Sequence, residues 1–359
     1  MKKGNIIRVK SFGFTVKMKS MFYQSCFCVA ALLLLYGCMT RIEPYEAKAE
    51  VEVELSGAFG LRTRASIDPQ PDSLPPYQLS IGVALLNYDS ANPETDQPDG
   101  DDWNGAVNWK RAYFGGPGLH APTVTNGEIK FTNDAGTAIN KVFYDENGLW
   151  CFLRAVYPYE GATVTSSHGK GSILFPIDGS QDIMCANLVW GSVNKQMVDR
   201  LIFKHLLTKL NIRLYAENQD ASDQYGEIEA VGVAYQPAGA ILDIATGNLQ
   251  PEPTSSTTRY DRYYTVDFDP SANRLLSDNI TDPTDPDVNF GYVMAIPAAK
   301  YSIWVKTENR LEFYTEVTLP SSSFEAGKAY NITLKFLATD QIIIFAEEAT
   351  EWWLDSTFN

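Results

Sequence analysis

Two short stretches carry residue types suited to covalent processing. Gly37-Cys38 closes the apolar run that ends Leu32-Leu33-Leu34-Leu35-Tyr36. A cysteine behind a small residue at the end of such a run is where export cleavage and lipidation meet, because a diacyl chain on the thiol tethers the new N-terminus to a bilayer. Cys38 is the candidate lipidation site, with an ordinary secretory signal and an incidental cysteine as the alternative. About twenty-five residues later, Leu61-Arg62-Thr63-Arg64-Ala65 places two guanidinium groups in a loop flanked by Gly and Ser. An exposed backbone of that kind can enter a protease cleft, although two surface arginines in a connector would look the same.

Other reactive chemistry is sparse. His120, His168 and His205 are too scattered to propose a metal site, and there is no Gly-x-Ser-x-Gly elbow. The acidic run Asp96-Gln-Pro-Asp-Gly-Asp-Asp102 fits no EF-hand spacing and lacks the closing glutamate. Asp267, Asp269, Asp282, Asp285 and Asp287 could supply the acid and base of a glycoside hydrolase, but the Asp-Pro-Thr-Asp-Pro-Asp segment reads as a solvated loop. His205, inside an apolar run, reads as a hydrogen-bonded core histidine. The sequence therefore points away from an enzyme and calls for no cofactor.

The elements that position the two processing stretches begin with the N-terminus. Lys2, Lys3, Arg8, Lys10, Lys17 and Lys19 precede the apolar run Met21 to Tyr36, which has the charge and length of a signal peptide rather than of a spanning helix. The 359 residues are 45% hydrophobic and 12% aromatic, enough for a sizeable core and two domains. A net charge of −15 argues against nucleic acid, whose binding needs a basic face. Cys26 and Cys28 fall in the signal, which leaves Cys151 and Cys185 as either one disulfide or two buried thiols.

Between Cys38 and Arg64 lies a strand. Val51, Val53 and Leu55 alternate with Glu50, Glu52 and Glu54, the period of a strand with one buried face. Leu79 to Tyr88 reads as a strand buried on both faces. Strand signals follow at 109–114, 128–131, 149–156, 172–176 and 182–189. The segment Ile202 to Leu214 fits either a helical turn or an extended chain, since Phe203, Leu207 and Leu210 suit one period while Leu210, Ile212 and Leu214 suit the other. Further strands are expected at 228–234, 263–268, 291–296, 301–306, 312–319, 329–336 and 341–346. This spacing, with turns rich in Gly, Pro, Asn and Asp, indicates a mainly all-β chain of β-sandwiches with few short helices, divided near Ser192 to Asp199.

Several motifs taken together resemble the fimbrillin-like proteins of the Bacteroides group, the subunits of type V pili. Phe203-x-His205-x-x-x-Lys209-Leu210-x-Ile212-x-Leu214 resembles the opening of that family's second domain. Leu153-Arg-Ala-Val-Tyr-Pro-Tyr159 and Gln181-Asp-Ile-Met-Cys-Ala186 are similar to an aromatic strand end and the segment after it. Pro297 to Val305, Phe324 to Phe336 and Glu351-Trp352 resemble the closing region.

The resemblance implies two tandem transthyretin-like β-sandwich domains at 65–197 and 198–359. They follow a lipoprotein signal at 1–37 and a propeptide at 38–64 that carries the first strand. It implies an outer-membrane precursor anchored through Cys38, an arginine-specific protease cutting Arg64-Ala65, and a surface fimbrium built by strand exchange with other pilin subunits. A host or bacterial surface ligand completes the expected partners. Cutting would displace Val51, Val53 and Leu55; each large apolar side chain so exposed forfeits roughly 1.5–3 kcal/mol, a drive to refill the slot. The candidate donor strand is the tail with Trp352, Leu354 and Phe358, with Gln341 to Ala346 as the other option; stalk and tip roles both remain open. The alternative function is a lipid-anchored glycan-binding protein, in which Trp103, Trp109 and Trp150 would stack on sugar rings.

Overall fold

The computed structural model describes residues 50–59, 78–104, 108–115, 127–135, 139–165, 171–253, 262–266, 275–276, 278, 289–309, 312–320 and 323–349. Twenty strands and two short helices make the described chain all-β, as its alternating patterns predict. The strands form one eight-stranded sheet and three four-stranded sheets.

The large sheet runs β2 (Gln78–Tyr88), β3 (Asn108–Gly115), β4 (Gly127–Phe131), β1 (Leu55–Phe59), β10 (Leu201–His205), β8 (Met184–Ala186), β5 (Trp150–Tyr157) and β9 (Val189–Gly191). Because β2 also pairs with β5, from Gly82↔Val156 to Tyr88↔Trp150, seven of these strands close into a ring. Leu79, Ile81, Val83 and Leu85 of β2 point into one core with Leu153 and Ala155 of β5, while Ala84 and Leu86 join a second core with Phe152 and Val156. The continuous apolar run of β2 thus reflects burial on both faces. Gly82 is required by a close approach, since a Cβ there would lie 2.0 Å from the ring of Trp109.

The segment 202–214 contains no helical turn; it is two strands separated by a bend at Leu207. It splits into β10 and β11 (Thr208–Ala216), which belong to different sheets; Leu210, Ile212 and Leu214 describe β11, while Phe203, Leu207 and Leu210 fall at a helical spacing only because a two-residue break separates the strands. The sheet with β11 has the order β16 (Asn289–Ala295), β11, β19 (Ala329–Phe336) and β20 (Ile342–Glu348). It faces a sheet ordered β15 (Arg262–Thr265), β12 (Ile228–Gln236), β17 (Lys300–Thr307) and β18 (Glu312–Thr318), across a core that includes Leu210, Ile212, Val233, Ile303, Ile332 and Leu334. Packing of one alternating face against another is the sandwich arrangement.

A small sheet of short strands joins the two halves of the chain: β14 (Leu249–Pro251), β13 (Gly239–Asp243), β7 (Ser172–Pro176) and β6 (Thr163–Thr165). Its centre is the antiparallel pair β7 and β13, from Gly239↔Pro176 to Asp243↔Ser172. Buried Arg154 of β5 reinforces the join by donating from Nη2 to the Ala245 carbonyl at 3.0 Å.

Helix α1 (Gly100–Trp103) is capped by the acidic loop. The Asp99 carboxylate accepts from the Asp101 and Asp102 amides, and Asp102 accepts from the Asp99 amide. Helix α2 (Gln219–Tyr225) starts under an Asn218 cap and ends at Gly226, whose φ of 70° favours glycine. Both remaining cysteines are free thiols: Cys151 faces the first core and Cys185 the second.

Candidate functional site

The first strand is an interior stave of the large sheet. It runs parallel to β10 with Gly57↔Leu201, Ala58↔Ile202 and Phe59↔Phe203, and antiparallel to β4 with Leu55↔Ile129, Ser56↔Glu128 and Gly57↔Gly127. Just upstream, the Val53 amide donates to the Val142 carbonyl at 2.8 Å and the Tyr144 amide to the Val51 carbonyl at 3.0 Å. Lys141 meets Glu52 at 2.6 Å on the solvent side, and that pairing raises the Lys141 pKa. Val53, Leu55 and Gly57 are buried while Glu54 is exposed, so the alternation read from the sequence matches the burial from Val53 onward; upstream, Val51 and Glu52 are both half-buried.

Beneath the strand lies an apolar floor. Phe114 and Phe203 stack with centroids 5.5 Å apart, and Ile129, Leu201 and Tyr144 complete the same core. Gly57 is needed there because a Cβ would lie 2.9 Å from Phe114 and 3.2 Å from Ile129. Burial raises the Tyr144 phenol above its ordinary range, while its oxygen accepts from the Met197 amide at 2.8 Å. If β1 left, β4 and β10 would become facing edges with unpaired backbone, and the aromatic floor would meet water. Only another extended segment can restore both at once.

The model of the family described as fimbrillin-like matches residues 88–352. The chain belongs to the fimbrillin-like family. Solved structures with the same fold include a protein of Bacteroides uniformis provisionally assigned to cell adhesion, at 16% identity and a TM-score of 0.51, covering 86% of this chain and 99% of that one. A similarly assigned protein of Bacteroides ovatus has 15% identity and a TM-score of 0.51, covering 86% and 100%. A tip fimbrial protein of Porphyromonas gingivalis is more distant, at 8% identity and a TM-score of 0.40 over 84% of this chain and 100% of that one. No curated protein matches the sequence.

In this fimbrillin-like chain, Cys38, Arg64, Ala65, Trp352, Leu354 and Phe358 lie outside the described residues, as do His120, His168 and the carboxylates at 267, 269, 282, 285 and 287. Ile342 to Glu348, overlapping the second donor option, pairs with β19 at seven positions and is an integral strand of its sheet. Trp103 is fully buried and cannot meet a sugar, while Trp109 and Trp150 are half-buried against the core. Sequence reading missed β10 as the parallel neighbour of β1. No local pattern could have shown it, since the alternation at 53, 55 and 57 marks the buried face of β1 and not its neighbour.

Next to the slot, where β10 ends, the family-like motif residues form a buried polar knot. His205 Nδ1 bonds to Asp182 Oδ2 in the interior. Lys209 Nζ lies 4.4 Å from the centroid of the Tyr292 ring, and burial lowers its pKa to about 8 against the opposing pull of Asp182. Asn211 donates to Asn331 at 3.1 Å. His205 thus ties the end of β10 to the segment before β8, while Lys209 and Asn211 tie β11 to β16 and β19 within the C-terminal sheet. No cluster of three metal-ligating side chains occurs among the described residues.

Proposed function

We propose that this protein is a structural subunit, stalk or tip, of a cell-surface type V pilus that serves adhesion. In this reading it is exported as a lipoprotein precursor held at the outer membrane through Cys38. An arginine-specific protease then cuts Arg64-Ala65, and subunits assemble by strand exchange. The segments are a signal at 1–37, a propeptide at 38–64 and domains at 65–197 and 198–359.

The observation that carries this reading is the interior position of β1 between β4 and β10. A strand from the N-terminal part of the body, bonded on both edges and burying Leu55, with Val53 buried just upstream, acts as a removable filler when a cut follows it. Membership of the fimbrillin-like family supports the pilus role. The tail with Trp352, Leu354 and Phe358 is the proposed donor, because β20 is already committed within its own sheet.

The test is the intact mass and assembly size of purified residues 40–359 before and after an arginine-specific protease. Loss of the segment through Arg64, followed by a ladder of stable multimers, supports strand exchange and a stalk role. A clean cut that leaves only monomers supports a tip subunit. Resistance of Arg64 in the folded protein overturns the processing scheme.

A further inference from the structure

The outer face of the sheet β15-β12-β17-β18 carries an aromatic surface that neither the core nor the slot uses. On β12, β15 and β17 the core-facing residues are Val231, Val233, Tyr264, Ile303 and Val305, so alternation turns Tyr263, Ala234, Ser302 and Trp304 outward. On β18, Val317 faces inward, which turns Glu312, Tyr314 and Glu316 outward. The pairings Ala234↔Ser302, Ser302↔Glu316 and Trp304↔Tyr314 set these residues side by side.

The aromatic rings touch one another. Tyr263 sits 4.9 Å from Trp304 and 6.4 Å from Tyr314, and Tyr235 stacks on Tyr314 at 6.0 Å with planes 24° apart. Tyr235, Tyr263 and Tyr314 are nonetheless 46%, 40% and 43% exposed. The small residues Ala234, buried at 1% exposure, and Ser302, half-buried, lie below the three exposed tyrosines and leave their rings as the outermost layer of the face.

Their phenols are held in a chain. Tyr314 donates to Glu312 Oε2 at 2.9 Å, and because that uses its one proton, Tyr263 donates to the Tyr314 oxygen at 2.9 Å. The rings are thus fixed before any ligand arrives, which limits the entropy lost on binding.

A second, independent feature aims Tyr235. The register between β12 and β15 shifts between Val233 and Gln236, and Tyr235 takes a φ of 60°. A bulky residue disfavours that left-handed backbone, and a bulge that re-aims a side chain is a feature of binding sites. Here the side chain it turns outward is the one that completes the row of rings.

We propose that this face is a carbohydrate-binding platform for an uncharged, hexose-containing glycan. A pyranose presents a face of weakly positive C–H bonds, which suits the negative face of a tyrosine ring, and a rim of hydroxyls, which suits carboxylate acceptors. Glu312 and Glu316 supply that rim. Lys300 and Lys306 are already paired with Glu316 and Glu229 at 2.7 and 2.5 Å, so the rim offers acidic sugars little attraction. The platform lies in a different sheet from the slot and does not depend on strand exchange.

The test uses the intact precursor with lactose, maltotriose, mannotriose and 3′-sialyllactose as probes, read by saturation-transfer NMR and calorimetry. Tyr235→Gly removes one ring while relieving its backbone, so it keeps the fold; Tyr314→Ser removes the central ring and the phenol chain. We expect at least one uncharged probe to bind, and its affinity to fall about tenfold or more in both variants, a loss of a single aromatic contact or greater. Multimer formation after protease treatment is expected to be unchanged. The proposal is overturned if no uncharged probe binds, if binding survives both substitutions, or if sialyllactose binds as well as lactose. It is equally overturned if the two variants abolish self-association, which would mark the face as a contact between copies.

Discussion

Leu55→Ala tests whether the first strand is a unit that can leave by itself. Leu55 is 5% exposed, opposes Ile129 across the ladder and belongs to the core built on Phe114 and Phe203. Replacing a buried leucine by alanine costs about 2–5 kcal/mol, the transfer loss plus the cavity. The strand is only five residues long and can settle partly into the gap, so about 3 kcal/mol is the expected cost. If β1 opens locally, that cost falls entirely on its own opening equilibrium, which then rises roughly 150-fold. Native-state hydrogen exchange reads this directly: the Val53 and Tyr144 amides, bonded to Val142 and Val51, should exchange about a hundredfold faster. Amides of β19 in the C-terminal sheet should keep their rates. Equal acceleration at both places would mean that β1 opens only with the whole fold, and the removable-strand reasoning would fail. No acceleration at Val53 would mean that Leu55 does not hold the strand.

Three further outcomes follow from the packing of the same strands. Gly57→Val should lower stability by about 1–3 kcal/mol, because the new Cβ meets the packed Phe114 ring; thermal melting checks it. Lys209 has a folded pKa of about 8, below its ordinary 10.5, so below pH 8 both states hold the proton and the burial penalty stands in full. Between those values the unfolded chain alone holds it, so stability should rise with pH by about 3 kcal/mol relative to Lys209→Met, as urea midpoints at pH 7 to 10 would show. A flat difference between the two proteins would contradict it. Cys151, its thiol pushed up to about 12 by burial, and Cys185, raised likewise, should resist a thiol reagent at pH 8 until the protein is unfolded.

What the sequence disclosed and what it hid divide along physical lines. Val51, Val53 and Leu55 could be read as one face of a strand because alternation is a local property, and β2 could be read as doubly buried because its apolar run is unbroken. The neighbours of β1 could not be read, since β10 begins more than a hundred residues away and parallel pairing leaves no local mark. Ile202 to Leu214 stayed ambiguous because two strands of different sheets adjoin there across a break at Leu206 and Leu207, which brings Phe203, Leu207 and Leu210 to a helical spacing. Strands β6, β13 and β14 are three to five residues long, too short for periodicity, yet they join the halves of the chain. Trp103 reads from the sequence as a ring that could stack on a sugar, but it is a buried anchor at the end of a capped helical turn. The exposed tyrosines became visible only once β12, β15, β17 and β18 lay side by side.

The removable-strand claim is tested most directly by returning the strand. The cleaved subunit would be mixed with a synthetic peptide of residues 50–59, and multimer formation and melting temperature followed against a peptide in which Val53 and Leu55 are aspartate. If the slot between β4 and β10 is the assembly site, the native peptide should block multimers and raise the melting temperature, and the aspartate peptide should do neither. Multimers that form equally in the presence of the native peptide would show that subunits join elsewhere.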